Sequence, residues 1–372
     1  MDRINIALIT THNTDNYGAS LQTYAAQKIL NYYGDVTIID YNKRDVSRNL
    51  DYVRIKLSFR GLLGLTKDLL RLFPRVRLIN KFKSFSKEHF KLSPPLLQKN
   101  AQKDKFPEFN VYVSGSDQIW NPKCISDTDT LDPIYFSSFA PPQSKKISHS
   151  ASFGGYQFNE IETKKLFCYL NDFTAVSVRE KDSQCFLQSA LDRPVKHTLD
   201  PTLLIEKTEW AEICTAAHYK LDKNEYILVY SVPKLPFLKK CVEFVVAELN
   251  ISVVTIDQDP FSKIKGAQHI NDAGPIDYLS LFMNASFVVT DSFHGVCFAT
   301  NFNIPFLTTS HFPHSNRIMS LLSVLGLTNR LVDNNESLSK FSLNQDFGRA
   351  NKILANLRDD NLAWLEENII SE

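Results

Sequence analysis

The fold class is decided near the start of the chain, where two apolar runs flank a segment with helical spacing. The runs are INIALI at residues 4–9 and VTIID at residues 36–40. Between them, a polar loop at residues 10–16 leads into residues 21–30, in which apolar side chains recur at the period of a helix, and Gly34 ends that segment. This strand–helix–strand order is a βαβ unit, which predicts a parallel sheet.

The same alternation continues along the chain in two series. In the first series we predict further strands at residues 111–113, 146–152, 175–178 and 195–199, with a helix at 161–170. The second series begins after Asp200-Pro201-Thr202, with strands at residues 226–232, 253–256, 287–290 and 305–308 and helices near 236–248, 276–284, 294–301 and 315–324. Two successive α/β series predict two Rossmann-like domains that face each other across a cleft.

Domain boundaries follow from the break between the two series. We predict an N-terminal Rossmann-like domain at residues 1–203, with a basic insertion at about 52–95, and a C-terminal one at residues 204–345. The last segment, residues 346–372, has helical spacing and is predicted to pack back onto either domain.

Composition favours a globular protein without a nucleic-acid partner. The 372 residues are 43% hydrophobic and 22% charged, and the formal net charge of +1 gives no global field to attract a polyanion. The six cysteines show neither CxxC pairs nor metal-ligand spacing, which argues against structural disulfides and a zinc site. Without a signal peptide or a long apolar run, we expect a cytoplasmic location.

Residues 54–91 differ from the rest of the chain in charge. They hold eleven Lys or Arg against two acids, Asp68 and Glu88, with Leu and Phe interleaved. A basic amphipathic helix can lie on an anionic membrane surface. The same pattern also fits a solvated helix face, a lid or a subunit contact, and Gly61, Gly64 and Pro74 exclude one continuous helix.

A short polar turn at residues 290–295, TDSFHG, follows the apolar run at 287–289 and leads into a helix. In α/β proteins such turns lie at the carboxyl edge of the sheet, where ligands bind. Asp291 or Ser292 can cap the helix, the helix start favours an anion, and His294 can move a proton. An ordinary N-cap followed by a packed histidine explains the turn equally well.

Other strand ends carry polar residues of the same kind. Gly18, in the turn at residues 13–22, lets backbone approach a ligand, although the chain lacks the GxGxxG fingerprint of dinucleotide sites. In residues 113–121, acidic and amide side chains can hold sugar hydroxyls and Trp120 can stack on a sugar or pack in the core. Arg179, at the end of a predicted strand, can grip a carboxylate or phosphate, or pair with Glu180 or Asp200.

Taken in order, these pieces resemble the polysaccharide pyruvyl transferase family. They are Asn-Tyr-Gly-Ala-Ser-Leu-Gln at 16–22, Ser-Gly-Ser-Asp-Gln-Ile-Trp-Asn at 114–121, Ala-Ser-Phe-Gly at 151–154, Ser-Val-Arg-Glu at 177–180, Asp-Pro-Thr-Leu-Leu at 200–204 and Thr-Asp-Ser-Phe-His-Gly at 290–295. The likeness runs from about residue 6 to about residue 325 and is more specific as a set than any single motif.

The resemblance implies two Rossmann-like domains in a glycosyltransferase-B-like arrangement. It also implies transfer of pyruvate from phosphoenolpyruvate to two hydroxyls of a sugar, which forms a cyclic ketal and releases phosphate. Phosphoenolpyruvate is then a co-substrate, and neither a metal nor another cofactor is expected. The context would be capsule, exopolysaccharide or cell-wall glycan synthesis, with a 4,6-ketal as the expected product.

Candidate site residues follow from the same resemblance. We expect His294 and Arg179 to be catalytic, with His294 as proton donor. The candidates for the donor site are Arg179, Ser292, Phe293, His294, Gly295 and Arg317. The candidates for the acceptor site, on the N-terminal domain, are Asn16, Tyr17, Gly18, Gln22, Ser116, Asp117, Gln118, Trp120 and His149. The supporting residues are Glu180, Asp200 and Asp291.

Ser292 is a departure from the family pattern, which has an arginine at that point. Arg317 is our first candidate for the missing charge, and Lys43 or Arg44 are weaker ones. Among the histidines, His149 ranks second to His294. His311 and His314 lie in a proline-flanked loop that we expect to be exposed.

Two rival functions share the expected fold. A nucleotide-sugar glycosyltransferase would need an acidic ribose ligand in the second domain, and Asp257 is available for it. A non-catalytic glycan-binding or assembly factor would explain Ser292. The acceptor sugar is open; a lipid-linked saccharide fits the basic segment at 54–91, which would make the protein peripheral at the inner face of the plasma membrane.

Overall fold

The computed structural model describes residues 3–52, 71–96, 107–219, 221–222, 225–232, 236–259, 264–309 and 315–370. The chain divides into two compact units. The first unit comprises residues 1–48, 86–204 and 354–372, and the second unit comprises residues 49–85 and 205–353. The described residues 71–85 of the basic segment group with the second unit. The sequence analysis assigns the basic insertion, at about 52–95, to the N-terminal domain.

The elements up to residue 204 alternate as the sequence predicts. They are β1 (Asn5–Ile9), α1 (Tyr17–Leu30), β2 (Asp35–Ile38), α2 (Arg44–Ser47), α3 (Leu72–His89), β3 (Val111–Ser114), α4 (Pro122–Ile125), β4 (Lys145–Ser148), α5 (Glu160–Leu170), β5 (Val176–Val178), α6 (Lys181–Gln188), β6 (Val195–His197) and α7 (Pro201–Leu204). Gly34 is required between α1 and β2, because a Cβ there would lie 2.4 Å from the carbonyl oxygen of Ile4.

The first unit contains a parallel sheet with the order β2-β1-β3-β4. Strand β1 pairs with β2 on one side (Ile6 with Val36) and with β3 on the other (Ile6 with Val111). Isolated bridges such as Ala151–Val178 link the end of β4 to the two-stranded sheet β5-β6. The strand order reverses direction between β1 and β3, and ligands of open α/β sheets bind outside the carboxyl ends of the strands at such a switch point.

The second unit also contains a parallel sheet, with a different strand order. Its elements are α8 (Lys207–Cys214), β7 (Tyr226–Tyr230), α9 (Pro236–Leu249), β8 (Ser252–Ile256), β9 (Gln268–Ile270), α10 (Pro275–Asn284), β10 (Phe287–Thr290), α11 (Phe293–Asn301), β11 (Phe306–Thr308), α12 (Ser315–Leu325) and α13 (Asn335–Ser339), with the long α14 (Gly348–Ile370) continuing into the first unit. The parallel order β11-β10-β7-β8-β9 puts the switch point between β7 and β10. Helix α11 is buried along its whole length, including the reduced Cys297.

The parallel α/β fold predicted from the sequence is confirmed, with local differences. The strand predicted at residues 146–152 ends at Ser148, because Ser150 adopts a left-handed φ of 57°, which no regular strand accommodates. Strand β9 was not predicted, because its three residues Gln-His-Ile bury only Ile270.

Helix α3, the described part of the basic segment, is held by the second unit. Lys81 Nζ lies 2.8 Å from Asp277 Oδ2, and Arg77 pairs with Asp272. Arg75 is buried and donates to the carbonyl oxygens of residues 49 and 51. The apolar side chains Leu78, Ile79, Phe82 and Phe85 are also buried, so this face of α3 is part of the core. Residues 54–70 lie outside the described part of the chain.

Candidate functional site

The turn after β10 is fixed across the switch point of the second unit. The carboxylate of Asp291 accepts two hydrogen bonds from residues that follow β7: Ser231 Oγ donates to Oδ2 at 2.7 Å, and the Val232 backbone N–H donates to Oδ1 at 2.8 Å. The side chain is 3% exposed. Asp291 therefore ties the ends of β7 and β10 together.

Ser292 is the N-cap of α11. Its Oγ accepts from the Gly295 backbone N–H at 3.4 Å, and its own N–H donates to Thr290 Oγ1 at 3.1 Å. Gly295 is a packing requirement, because a Cβ there would lie 2.4 Å from Thr290 Oγ1. The glycine thus brings the first turn of α11 against the end of β10, where the helix start favours negative charge.

Three of the expected donor-site side chains lie together at this helix start. The rings of Phe293 and His294 meet edge to face with centroids 5.2 Å apart. The guanidinium of Arg317, on α12, lies 5.7 Å from the centroid of the Phe293 ring. His294 is 7% exposed, whereas Arg317 is only partly buried. A cation and a titratable imidazole therefore flank one aromatic ring at an anion-favouring helix start.

Asp257, the acidic residue of the rival nucleotide-sugar interpretation, follows β8 in the same unit. Its Oδ1 accepts from the Asp259 backbone N–H at 2.8 Å, which stabilises a local turn. This contact explains an aspartate at the end of a strand without a ribose ligand.

Arg179, after β5, lies in a buried ionic network of the first unit. Its Nη1 donates to Asp200 Oδ2 at 2.6 Å and its Nε donates to Glu180 Oε1 at 3.4 Å. The three side chains are at most 4% exposed. Burial opposes the charge of the guanidinium, but the carboxylates of Asp200 and Glu180 more than offset it and raise the pKa of Arg179. Both ion pairs that the sequence offers for Arg179 are thus present.

The two carboxylates are themselves saturated with further donors. Ser152 Oγ donates to Glu180 Oε1 at 2.5 Å and Ser183 Oγ to Oε2 at 3.3 Å. Asp200 Oδ1 accepts from the N–H and Oγ1 of Thr202, and Ser116 Oγ donates to Oδ2 at 3.2 Å. One cation and two anions give this network a net negative charge if all three are ionised. It is better suited to hold strand ends together than to bind another anion.

The turn between β1 and α1 has the cap expected from its sequence. Asn16 is exposed and its Oδ1 accepts from the Ala19 backbone N–H at 3.2 Å. Tyr17 and Gly18 are buried in the first turn of α1. Gln22 is fully buried and donates to Thr10 Oγ1 at 2.9 Å, so it supports the end of β1 from behind.

Beyond β3, the expected acceptor residues divide between the surface and the core. Asp117 is partly exposed, and its Oδ2 accepts from Thr11 Oγ1 at 2.7 Å. Gln118 Oε1 accepts from the amide of Asn121 at 3.0 Å. Trp120 is fully buried, stacks on Phe136 and donates its ring N–H to a backbone carbonyl. The sugar-stacking role for Trp120 is therefore wrong, because the core leaves no face of the ring accessible.

His149 is also fully enclosed. Burial lowers its pKa to about 4, and the nearby carboxylate of Asp200 offsets only part of that effect. Within the described residues, neither ring nitrogen has a hydrogen-bond partner. His149 is therefore neutral at physiological pH and has no exposed surface for direct contact with an acceptor. His311 and His314 lie outside the described residues.

Comparison with known families decides the assignment. The model of the polysaccharide pyruvyl transferase family matches residues 16–311. The chain belongs to this family. The match includes the turn at 290–295 and the network around Arg179, and it ends before Arg317. No curated protein sequence matches the chain.

Solved structures place this family member among glycosyltransferase-B-like folds. It is similar to a putative UDP-N-acetylglucosamine 2-epimerase from Listeria monocytogenes, with a TM-score of 0.50 and 11% identity over 100% of this chain and 98% of that one. It is also similar to a UDP-glucose: anthocyanidin 3-O-glucosyltransferase, with a TM-score of 0.50 and 10% identity over 100% of both chains. At such identities the likeness concerns the fold alone.

The described residues lack two kinds of feature. None of their helices combines the length and the apolar character needed to cross a membrane. Among the same residues, no group of three or more His, Cys, Asp or Glu could hold a metal ion.

One pair of side chains in the first unit was not predicted. His12, after β1, lies with its Nε2 3.2 Å from Oδ1 of Asp40, which follows β2. The two residues are 28 positions apart, and each by itself is one polar residue in a loop. Their juxtaposition follows only from the parallel pairing of β1 with β2, which brings the ends of both strands to one edge.

Proposed function

We propose that this protein transfers pyruvate from phosphoenolpyruvate to two hydroxyls of a sugar, as a 4,6-cyclic ketal, in the assembly of a bacterial surface polysaccharide. Membership of the family supports pyruvyl transfer in general. The observation that carries the donor assignment is the group formed by Arg317, Phe293 and His294 at the start of α11.

The chemistry of phosphoenolpyruvate fits that group. The donor carries nearly three negative charges, so its site needs fixed cations and backbone N–H groups. Arg317 supplies a cation in place of the arginine that the family pattern has where this chain has Ser292. The start of α11 adds the positive end of the helix dipole. This assignment leaves Arg179 as the residue that holds Asp200 and Glu180, and so shapes the edge of the first unit.

The reaction then needs one acid and two bases. His294, as imidazolium, protonates C3 of the enol, and C2 gains oxocarbenium character. A sugar hydroxyl attacks C2 and loses its proton, the C2–O bond to phosphate breaks with its electron pair, and the second hydroxyl attacks C2 and loses its proton. One of the two hydroxyl protons restores His294 and the other leaves with phosphate or solvent, so the sum is donor plus diol to ketal plus phosphate.

The test is phosphate release that depends on both phosphoenolpyruvate and a glycoside, over a panel of lipid-linked and synthetic acceptors. We expect His294→Asn to lower kcat by about 10²–10⁴-fold, because a positioned proton donor contributes that much. His218→Asn is the matched control, since His218 is exposed in the same unit.

Three outcomes separate the alternatives. Acceptor-dependent phosphate release in the wild type and its loss in His294→Asn support the proposal. Release of a nucleotide from a nucleotide sugar, with no phosphate from phosphoenolpyruvate, would replace it with glycosyl transfer. Binding of phosphoenolpyruvate without turnover on any acceptor would replace it with a non-catalytic role.

A further inference from the structure

The end of β1 in the first unit carries two consecutive polar residues, each of which contacts a carboxylate on a different neighbour. Thr11 donates to Asp117, which follows β3, and His12 contacts Asp40, which follows β2. Because the strand order reverses between β1 and β3, this edge is the place where an open α/β sheet binds its ligand. Both carboxylates are only partly buried.

Both ring nitrogens of His12 lie close to an oxygen atom. Its Nε2 lies 3.2 Å from Asp40 Oδ1, and its Nδ1 lies 3.4 Å from the carbonyl oxygen of Thr10. The carbonyl and the carboxylate are both hydrogen-bond acceptors, so each ring nitrogen of His12 lies near an acceptor oxygen. The His12 side chain is 3% exposed and that of Asp40 is 24% exposed, so a buried imidazole holds a carboxylate that solvent and ligands can reach.

Asp40 is held from a second direction as well. Its backbone N–H donates to Ser93 Oγ at 3.0 Å. Among the described residues, side-chain hydrogen bonds engage Oδ1 of Asp40 and leave Oδ2 available. This differs from Asp200 in the same unit, both of whose oxygens are occupied by protein donors. Asp40 therefore combines fixed position with spare acceptor capacity.

Asp117, on the other side of β1, has a backbone conformation that also indicates a binding site at this edge of the sheet. It has a φ of 73°, in the left-handed region that residues other than glycine rarely occupy. Strain of this kind concentrates at binding and catalytic sites, where the surrounding structure enforces it. The hydrogen bond from Thr11 holds this carboxylate beside the end of β1.

We propose that the edge formed by Asp40 and Asp117 binds the diol of the acceptor sugar, and that Asp40 takes the proton of an attacking hydroxyl. This inference rests on the proposed function, in which two hydroxyls must each lose a proton. The O–H proton passes to Asp40 Oδ2 as the hydroxyl attacks, and Asp40 then releases it to water. His12 acts through Asp40 and is a positioning residue.

The first test is Asp40→Asn, which preserves the shape of the side chain and removes its basicity. We expect kcat to fall by about 10²–10⁴-fold, with the melting temperature and the Kd for phosphoenolpyruvate unchanged. Asp35→Asn is the matched control, because Asp35 begins β2 at the opposite edge and forms an exposed ion pair with Lys91. The control should turn over at the wild-type rate.

Asp40→Ala tests the same role of Asp40 if Asp40→Asn is poorly folded. Asp40→Ala leaves space for a small carboxylate, so added formate should restore part of the lost rate; a purely structural aspartate would give no such rescue. His12→Asn should lower kcat less than Asp40→Asn, with the KM for phosphoenolpyruvate unchanged, because the imidazole that orients Asp40 is removed while Asp40 itself remains.

The outcomes distinguish this inference from the function on which it rests. Phosphate release by Asp40→Asn at the wild-type rate, or a loss in Asp40→Ala that formate does not relieve, would overturn the role of Asp40 and leave pyruvyl transfer intact. A wild-type protein that releases no phosphate with any acceptor would overturn both.

Discussion

Each unit places an arginine beyond the carboxyl end of a strand, but the surroundings of the two are opposite. Arg179 is enclosed and lies against the carboxylates of Asp200 and Glu180. Arg317 is partly exposed and lies over the ring of Phe293. An arginine whose charge is already matched by two buried anions stabilises the protein, whereas one over an aromatic ring beside a helix start can bind an anionic ligand. Position in the fold alone therefore does not identify the donor-binding arginine.

The largest effect is expected from Arg179→Met, which keeps the volume and removes the charge. Asp200 and Glu180 would remain buried without their cation, which costs about 3–5 kcal/mol of the free energy of unfolding. Urea unfolding measures it, with Arg193→Met in the same unit as the control. If Arg179→Met were as stable as the control and lost only affinity for phosphoenolpyruvate, the contrast between the two arginines would be wrong.

The pH dependence of the free energy of unfolding should report how completely the first unit encloses His149. Its pKa is about 4 in the folded protein, through burial, against an ordinary value of 6.5. Because the folded-state pKa is the lower one, the contribution to stability is complete above pH 6.5 and is lost as pH falls towards 4. The loss amounts to about 3 kcal/mol.

The measurement is the free energy of unfolding of the wild type and of His149→Gln between pH 7 and pH 4. The wild type should lose more stability over this range than the variant, which has no imidazole to protonate. The charged group that acts on His149 is the nearby carboxylate of Asp200, which raises the pKa and offsets part of the effect of burial. Parallel pH curves for the two proteins would mean that His149 is reached by solvent.

Removal of the charge of the second arginine should affect binding and leave stability unchanged. Arg317→Ala is expected to weaken the binding of phosphoenolpyruvate by about 2 kcal/mol, or roughly 30-fold in Kd, the value of a charge-assisted hydrogen bond. Titration calorimetry measures this, and Arg349→Ala, an exposed arginine of the same unit, is the control. An unchanged Kd would remove Arg317 from the donor site.

A smaller effect, on the free energy of unfolding, is expected when the start of α11 near Arg317 is overpacked. Gly295→Ala would place a methyl group 2.4 Å from Thr290 Oγ1, which is itself fixed by a hydrogen bond to Tyr230. Such overpacking costs about 1–3 kcal/mol. Thermal unfolding beside Gly348→Ala, where the nearest atom belongs to an exposed side chain, isolates the clash. Equal melting temperatures for the two variants would show that the start of α11 shifts to accommodate the methyl group at little cost in stability.

The sequence predicts the strands of this fold because most are apolar runs. It cannot predict that Ser150 takes a left-handed conformation and ends β4, since serine tolerates many conformations. The turn at 290–295 was found because its residues are contiguous. The pair of His12 and Asp40 was missed because it depends on which strands are neighbours. The role of Trp120 was also open from the sequence, because a tryptophan can pack in a core or stack on a sugar.

The burial of Cys297 inside α11 has a consequence for measurement. A thiol reagent can modify this side chain only when the helix opens, because the residue is fully enclosed in the folded unit. In a variant whose other cysteines are replaced by serine, the labelling rate would report the opening of α11, whose first turn contains Phe293 and His294. Any ligand that binds the closed form slows that rate by a factor of one plus its concentration over its Kd. The affinity of the donor can thus be obtained before any acceptor sugar is known.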